Sequence, residues 1–327
     1  ENLQRSADEL KEMEEVIHSF YEADLSPEQE LTYTILMDYI ETEKSVAHLE
    51  FYDELLEPTY GYQAELPIIL AEYTFRKEQD IEDYLTLLSQ MDEYYAQIIA
   101  YEEKKAEAGL FMSDDAADMV IEQCEEFIQE PENNYMIEVF NDKIDSFEGL
   151  SEEEREEYKE RHDEIVTTEV VDAYQTLIDG MRALKGSGTN ELGLCYYEYG
   201  KEYYEYLVHS STGTTYETID DLKDAVEKQL NYELMAMSKL LIDHEELGEQ
   251  LDNYQFSSTD PNEILEHLQT VIASDFPELE DASYTTKYVP SSLEHTLSPA
   301  FFLVPPMDRY KDCVIYINQG SVNTSGD

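Results

Sequence analysis

The sequence contains no tryptophan, only three cysteines, 12 glycines and 10 prolines, and just 20 lysines and arginines against 77 aspartates and glutamates. Each scarcity excludes something. The shortage of cations leaves a formal net charge of −57. Without clustered Lys and Arg to neutralise phosphates, neither nucleic acid nor an anionic membrane surface is an expected partner. Cys124, Cys195 and Cys313 are odd in number and far apart. They form neither a disulfide framework nor zinc-type pairs, and three buried or half-buried free thiols are expected. No run approaches the roughly 18–20 apolar residues that carry a helix across a bilayer, so no transmembrane segment is expected.

Several catalytic patterns are missing too. There is no GxSxG, no phosphate loop, no GxGxxG after a strand and no DxDxDG calcium loop. Gly186-Ser187-Gly188 is too short for a phosphate loop and follows no strand. His244-Glu245 opens an HExxH motif, but Gly248 stands where the second histidine would be. Glu263 and His267 are one helical turn apart and could share a metal, yet zinc needs three or four ligands. A surface pair on a helix is the plainer reading. With 77 acids, paired carboxylates occur by chance and select nothing. No catalytic and no metal-ligating residue is therefore assigned.

What is present makes a core. Of the 327 residues, 42% are hydrophobic and 12% aromatic, which outweighs the disorder that so high a charge would suggest. Few glycines and prolines, with several prolines at helix starts, point to helices through about residue 280. Ser26-Pro27-Glu28-Gln29 is a capping box with proline at the first helical position, followed by the apolar stripe Leu31, Ile35, Leu36, Tyr39 and Ile40. Asp260-Pro261-Asn262-Glu263 repeats the device ahead of Ile264, Leu265, Leu268, Val271 and Ile272. Ser151 and Thr218 open two more helices. Further helices are expected over 2–22, 42–57, 78–108, 114–130, 132–146, 165–184 and 196–209, with breaks at Pro58–Gly61 and Lys185–Gly188. The tyrosine clusters at 196–199 and 203–206 read as packing stripes whose hydroxyls reach polar partners.

Beyond about Ala282 the pattern changes. Tyr284–Val289, Ala300–Val304 and Val314–Ile317 are β-branched and aromatic runs separated by prolines. The expected fold is mainly α, a multi-helix array with a small C-terminal β-sheet element. Residues 1–283 would form a helical domain and 284–327 a short β-rich segment.

The order of several segments carries a resemblance. Glu65-Leu66-Pro67-Ile68-Ile69-Leu70-Ala71-Glu72-Tyr73 precedes Asp80-Ile81-Glu82-Asp83-Tyr84-Leu85. Gly193-Leu194-Cys195-Tyr196-Tyr197 and Tyr203-Tyr204-Glu205-Tyr206-Leu207-Val208 come next, then Thr212-Gly213-Thr214. Ala300-Phe301-Phe302-Leu303-Val304-Pro305-Pro306 leads to Val314-Ile315-Tyr316-Ile317-Asn318. From about residue 25 to 327, this order resembles the bacterial domain-of-unknown-function family eight-eight-five, zincin-like and of HExxH metallopeptidase type. The resemblance implies that the chain is the N-terminal part of a longer zinc enzyme, truncated before its zinc motif and incomplete alone. Zinc would belong to the intact protein, with a peptide or protein as substrate. The strand ending at Asn318 would form one wall of the cleft, and Asn318, Tyr316, Arg309 and Tyr310 are the implied substrate-binding residues. A sheet edge would pair with the extended peptide. The alternative is a non-enzymatic acidic helical module that binds a peptide or protein. A first residue that is not Met, strong acidity and unpaired cysteines favour an extracellular or lipid-anchored bacterial protein over a cytoplasmic one.

Overall fold

The computed structural model describes residues 7–21, 24–216, 218–253, 258–272, 274–277, 283–289, 298–305 and 312–322. The fold is mainly α with a small C-terminal three-stranded sheet. The chain divides into two compact units, Glu1–Ala225 and Val226–Asp327. That division falls inside a helix, well before the change from helix to strand at Ser283.

The first unit contains α1 (Ala7–His18), α2 (Pro27–Val46), α3 (Tyr62–Ala71), α4 (Glu78–Ser89), α5 (Met91–Glu107) and α6 (Asp114–Phe127). It continues with α7 (Tyr135–Ser146), α8 (Glu152–Ile165), α9 (Val171–Leu184) and α10 (Gly200–Thr212), and α11 (Ile219–Asp243) begins in it. The expected caps are present. Ser26 and Ser151 each accept from the third backbone N–H of their helices, and Gln29 and Glu154 return the bond. In α11 the N–H of Asp221 donates to the Thr218 hydroxyl at 3.1 Å.

Several helix ends shift by a few residues, a helix over Glu246–Asp252 is an addition, and three stretches depart furthest from the sequence reading. The expected helix over 42–57 does not form: α2 runs on to Val46, and 47–61 crosses as irregular chain. The expected helix over 78–108 is two helices joined at Gln90. Residues 62–71 form α3 despite Pro67 within it. Proline has no N–H to give to the carbonyl four residues back, Gln63. Here that carbonyl instead accepts the Tyr174 hydroxyl of α9 at 2.6 Å, so a tertiary bond replaces the missing helical one.

The core of this unit forms where α9 packs against α5 and α6. Tyr95, Ile98, Val120, Cys124, Ala173, Tyr174, Leu177 and Met181 are buried there. Gly180 lets α5 come close, since a Cβ there would stand 2.6 Å from the Ile99 side chain. Between α8 and α9 a π-helical segment, Val166–Val170, carries the helix through one wide turn. Thr167 and Thr168 donate to the carbonyls of Asp163 and Glu164 at 2.6 Å there. Cys124 is buried and Cys313 half-buried, but Cys195 is exposed, against the expectation for all three thiols.

The second unit holds most of α11, then α12 (Glu246–Asp252), α13 (Pro261–Ile272), the sheet and the short α14 (Gln319–Val322). Strands β1 (Ser283–Tyr288), β2 (Ala300–Leu303) and β3 (Asp312–Ile317) lie in the order β1-β3-β2. β3 runs parallel to β1 and antiparallel to β2.

Candidate functional site

The sheet is where the sequence placed its candidate residues. Tyr316 lies opposite Lys287 of β1 and Phe301 of β2. Its ring stacks on Phe301 with centroids 4.9 Å apart and planes 5° from parallel. The Lys287 ammonium stands 5.7 Å from the ring centroid, a cation–π distance, and 3.4 Å from the phenol oxygen. Asn318 follows the strand directly, and its backbone N–H donates to the Pro299 carbonyl at 2.9 Å. Both Tyr316 and Asn318 are buried. The structure therefore brings two of the four candidates to one end of β3, while Arg309 and Tyr310 lie outside the described residues.

Register changes which backbone a peptide could meet. β3 is the central strand and spends both of its edges on β1 and β2. A peptide adding to this sheet would meet the outer edge of β1 or β2, neither of which pairs with a further strand among the described residues. β1 is fixed to α13 by the Thr286 hydroxyl, which donates to Asn262 Oδ1 at 2.7 Å.

A second constellation, in the helical unit, escaped the sequence reading. The inward stripe of α5 is Met91, Tyr95, Ile98, Glu102 and Lys105. Its last two members are charged types at core positions. The Lys105 ammonium donates to the Asp53 carbonyl at 2.7 Å and meets a Glu54 carboxylate oxygen at 2.6 Å. Tyr203 of α10 donates to the Asp53 carboxylate, and Tyr101 donates to the Asp53 carbonyl at 3.4 Å. Nearby Phe51 holds a left-handed φ of 68°, a conformation costly for a non-glycine residue. The irregular chain at 51–54 is thus fastened by α5 and α10 together. Glu102 is fully buried, and neither carboxylate oxygen has a hydrogen-bond partner. Burial raises its pKa to about 7, with Lys105 opposing and Glu54 adding to the shift. The signal was in the sequence as a Glu-x-x-Lys that continues an apolar stripe; charge alone marked it as surface.

His162 forms a third buried polar point. Its ring lies 4.0 Å from Phe140, within 3° of parallel, and 5.7 Å from Tyr84. Nε2 shares a hydrogen bond of 3.2 Å with the Tyr84 hydroxyl, while Nδ1 has no hydrogen-bond partner. Burial lowers its pKa to about 3, helped by the charge of Lys143, so the ring is neutral at ordinary pH. An imidazole held neutral between aromatic rings serves packing.

Among the described residues, no three or more His, Cys, Asp or Glu side chains are arranged to hold a metal. Glu263 and His267 are both exposed on α13. No helix among the described residues is long and apolar enough to cross a membrane.

The fold is similar to a solved one. A structure described as "the crystal structure of the putative lipoprotein from Colwellia psychrerythraea" superposes with a TM-score of 0.76 at 16% identity. The match covers 96% of this chain and 60% of that one, so the chain spans 60% of that protein's length. No curated protein matches the sequence. The family described as "Bacterial protein of unknown function (DUF885)" matches residues 1–325. Matched over nearly its whole length, this chain belongs to that bacterial family.

Proposed function

We propose that the chain is the helical scaffold and cleft wall of a zinc-dependent peptidase, catalytically incomplete by itself. The observation that carries the reading is the mixed sheet, whose outer strands keep an edge with no strand paired to it among the described residues. Such an edge suits an extended peptide, with main-chain hydrogen bonds for affinity. Tyr316 and Asn318 support the cleft wall from beneath by ordering the end of β3, and Arg309 and Tyr310 remain candidates for contact with substrate. In this reading the metal and its chemistry would come from protein beyond the matched 60% of the relative's length; among the described residues no three potential ligands are grouped to hold one. The relative's description as a lipoprotein supports an extracellular or lipid-anchored location.

A non-enzymatic reading has its own support. Tyr196, Tyr199 and Tyr204 expose their rings near the start of α10, where a peptide or protein partner could pack. Incubating the 327-residue chain with zinc and a peptide library separates the two. The peptidase-scaffold reading expects no stoichiometric zinc and no turnover from this chain alone, with both appearing in the longer protein. Turnover by the chain alone would overturn it. A longer protein free of zinc but retaining peptide affinity would favour the binding module.

A further inference from the structure

α11 presents an apolar face that nothing among the described residues covers. Over its 25 residues no side chain is buried, and none is buried in α13 either. Within the second unit, Val226, Leu230, Leu234, Met237 and Leu241 recur at three- and four-residue steps and are between 38% and 57% exposed. Asp224, Lys228 and Asn231 fall outside this stripe, as do the exposed Tyr232, Met235 and Ile242, while Glu227 and Ser238 lie at its border. On α13, Ile264, Leu268, Val271 and Ile272 repeat the pattern. At 1.5 Å per residue, the α11 stripe from Val226 to Leu241 extends about 22 Å, the length of an ordinary helix contact. An apolar stripe of this regularity signals burial against a partner.

Charge and length narrow the partner. A second copy would bring another −57 against this one, and an anionic lipid surface would be repelled in the same way. The solved relative carries polypeptide beyond the 60% of its length that this chain spans. We propose that the α11 stripe is the seat for that additional region of the family fold, held by helix packing. The inference rests on the existence of such a region, as does the peptidase reading, but not on zinc or on cleavage.

The test mixes the 327-residue chain with a separately produced polypeptide corresponding to the additional region. A one-to-one complex is expected by light scattering, with new hydrogen-exchange protection along α11. Leu230→Asp combined with Leu234→Asp should weaken it on the order of 100-fold, by placing charges in a packed interface. Lys228→Ala, on the far side of the helix from the stripe, should leave affinity within about twofold. Because these side chains are exposed, unchanged helicity by circular dichroism checks that both variants fold. A complex indifferent to the double substitution would overturn the proposal, as would a homodimer or vesicle-bound state of the chain that protects α11. A complex that forms through the stripe yet cleaves no peptide would sink the peptidase reading alone.

Discussion

The helices of the two units handle polarity differently, although Leu31 and Ile35 of the first are exposed and Asn318, after the strands of the second, is buried. The unit ending at Ala225 draws polar and even charged side chains inside: Gln63, Glu102, Lys105 and His162 are all buried there. The unit beginning at Val226 does the reverse along α11 and α13, where leucines, isoleucines, valines and methionines lie exposed. The first unit has enough apolar surface around its polar groups to enclose them. The second offers helices whose faces find no partner among the described residues. The contrast lies between a helical core that encloses polar groups and two helices, α11 and α13, in which no residue is buried.

Truncating a side chain in each unit should expose that difference most strongly. Phe140→Ala removes a buried ring packed against Tyr84 and His162 and should cost about 3–5 kcal/mol in chemical denaturation. Leu234→Ala on α11 should stay within about 0.5 kcal/mol, because the leucine it removes is exposed. Equal losses at the two positions would erase the comparison.

Acidity gives the next largest effect. The Glu102 carboxyl rises from 4.5 to about 7 on folding, so the folded state binds its proton more tightly. Its contribution is fully present below about pH 4.5 and is lost as pH climbs through 7, a swing of about 3 kcal/mol. Glu102→Gln should therefore gain stability relative to the parent between pH 4.5 and 8. His162 works the other way: its pKa falls from 6.5 to about 3, so the unfolded chain takes up the proton first and stability drops as pH falls below 6.5. Denaturation midpoints across pH 3–9 would display both limbs. A Glu102→Gln profile parallel to the parent's would remove the buried acid from the account.

A smaller effect attends Tyr174→Phe, which deprives the Gln63 carbonyl of the donor that compensates for Pro67. About 1–2 kcal/mol should be lost. No loss would mean that water satisfies the carbonyl equally well.

How far the sequence could be read follows from the kind of signal each feature leaves. The caps at Ser26, Ser151 and Thr218 are local chemistry, and each forms as read. The sheet's three strands also fall within one or two residues of their sequence limits. α3 was missed because its proline is tolerated only through Tyr174, 111 positions away from Gln63. The false helix over 42–57 had good local propensity, but Lys105, Tyr203 and Tyr101 fasten the chain around Asp53 in another shape. Of the candidate site, Tyr316 and Asn318 lie together at the end of β3. That β3 would be the central strand could not be read, since pairing order depends on contacts distant in sequence.

Native-state hydrogen exchange on the 327-residue chain tests the central contrast most directly. Amides of α5 and α9, in the enclosed core, should exchange only by near-global opening, whereas those of α11 from Val226 onward should exchange orders of magnitude faster. Protection along α11 equal to that of α9 would contradict the account, because its apolar face would then already be covered within the chain.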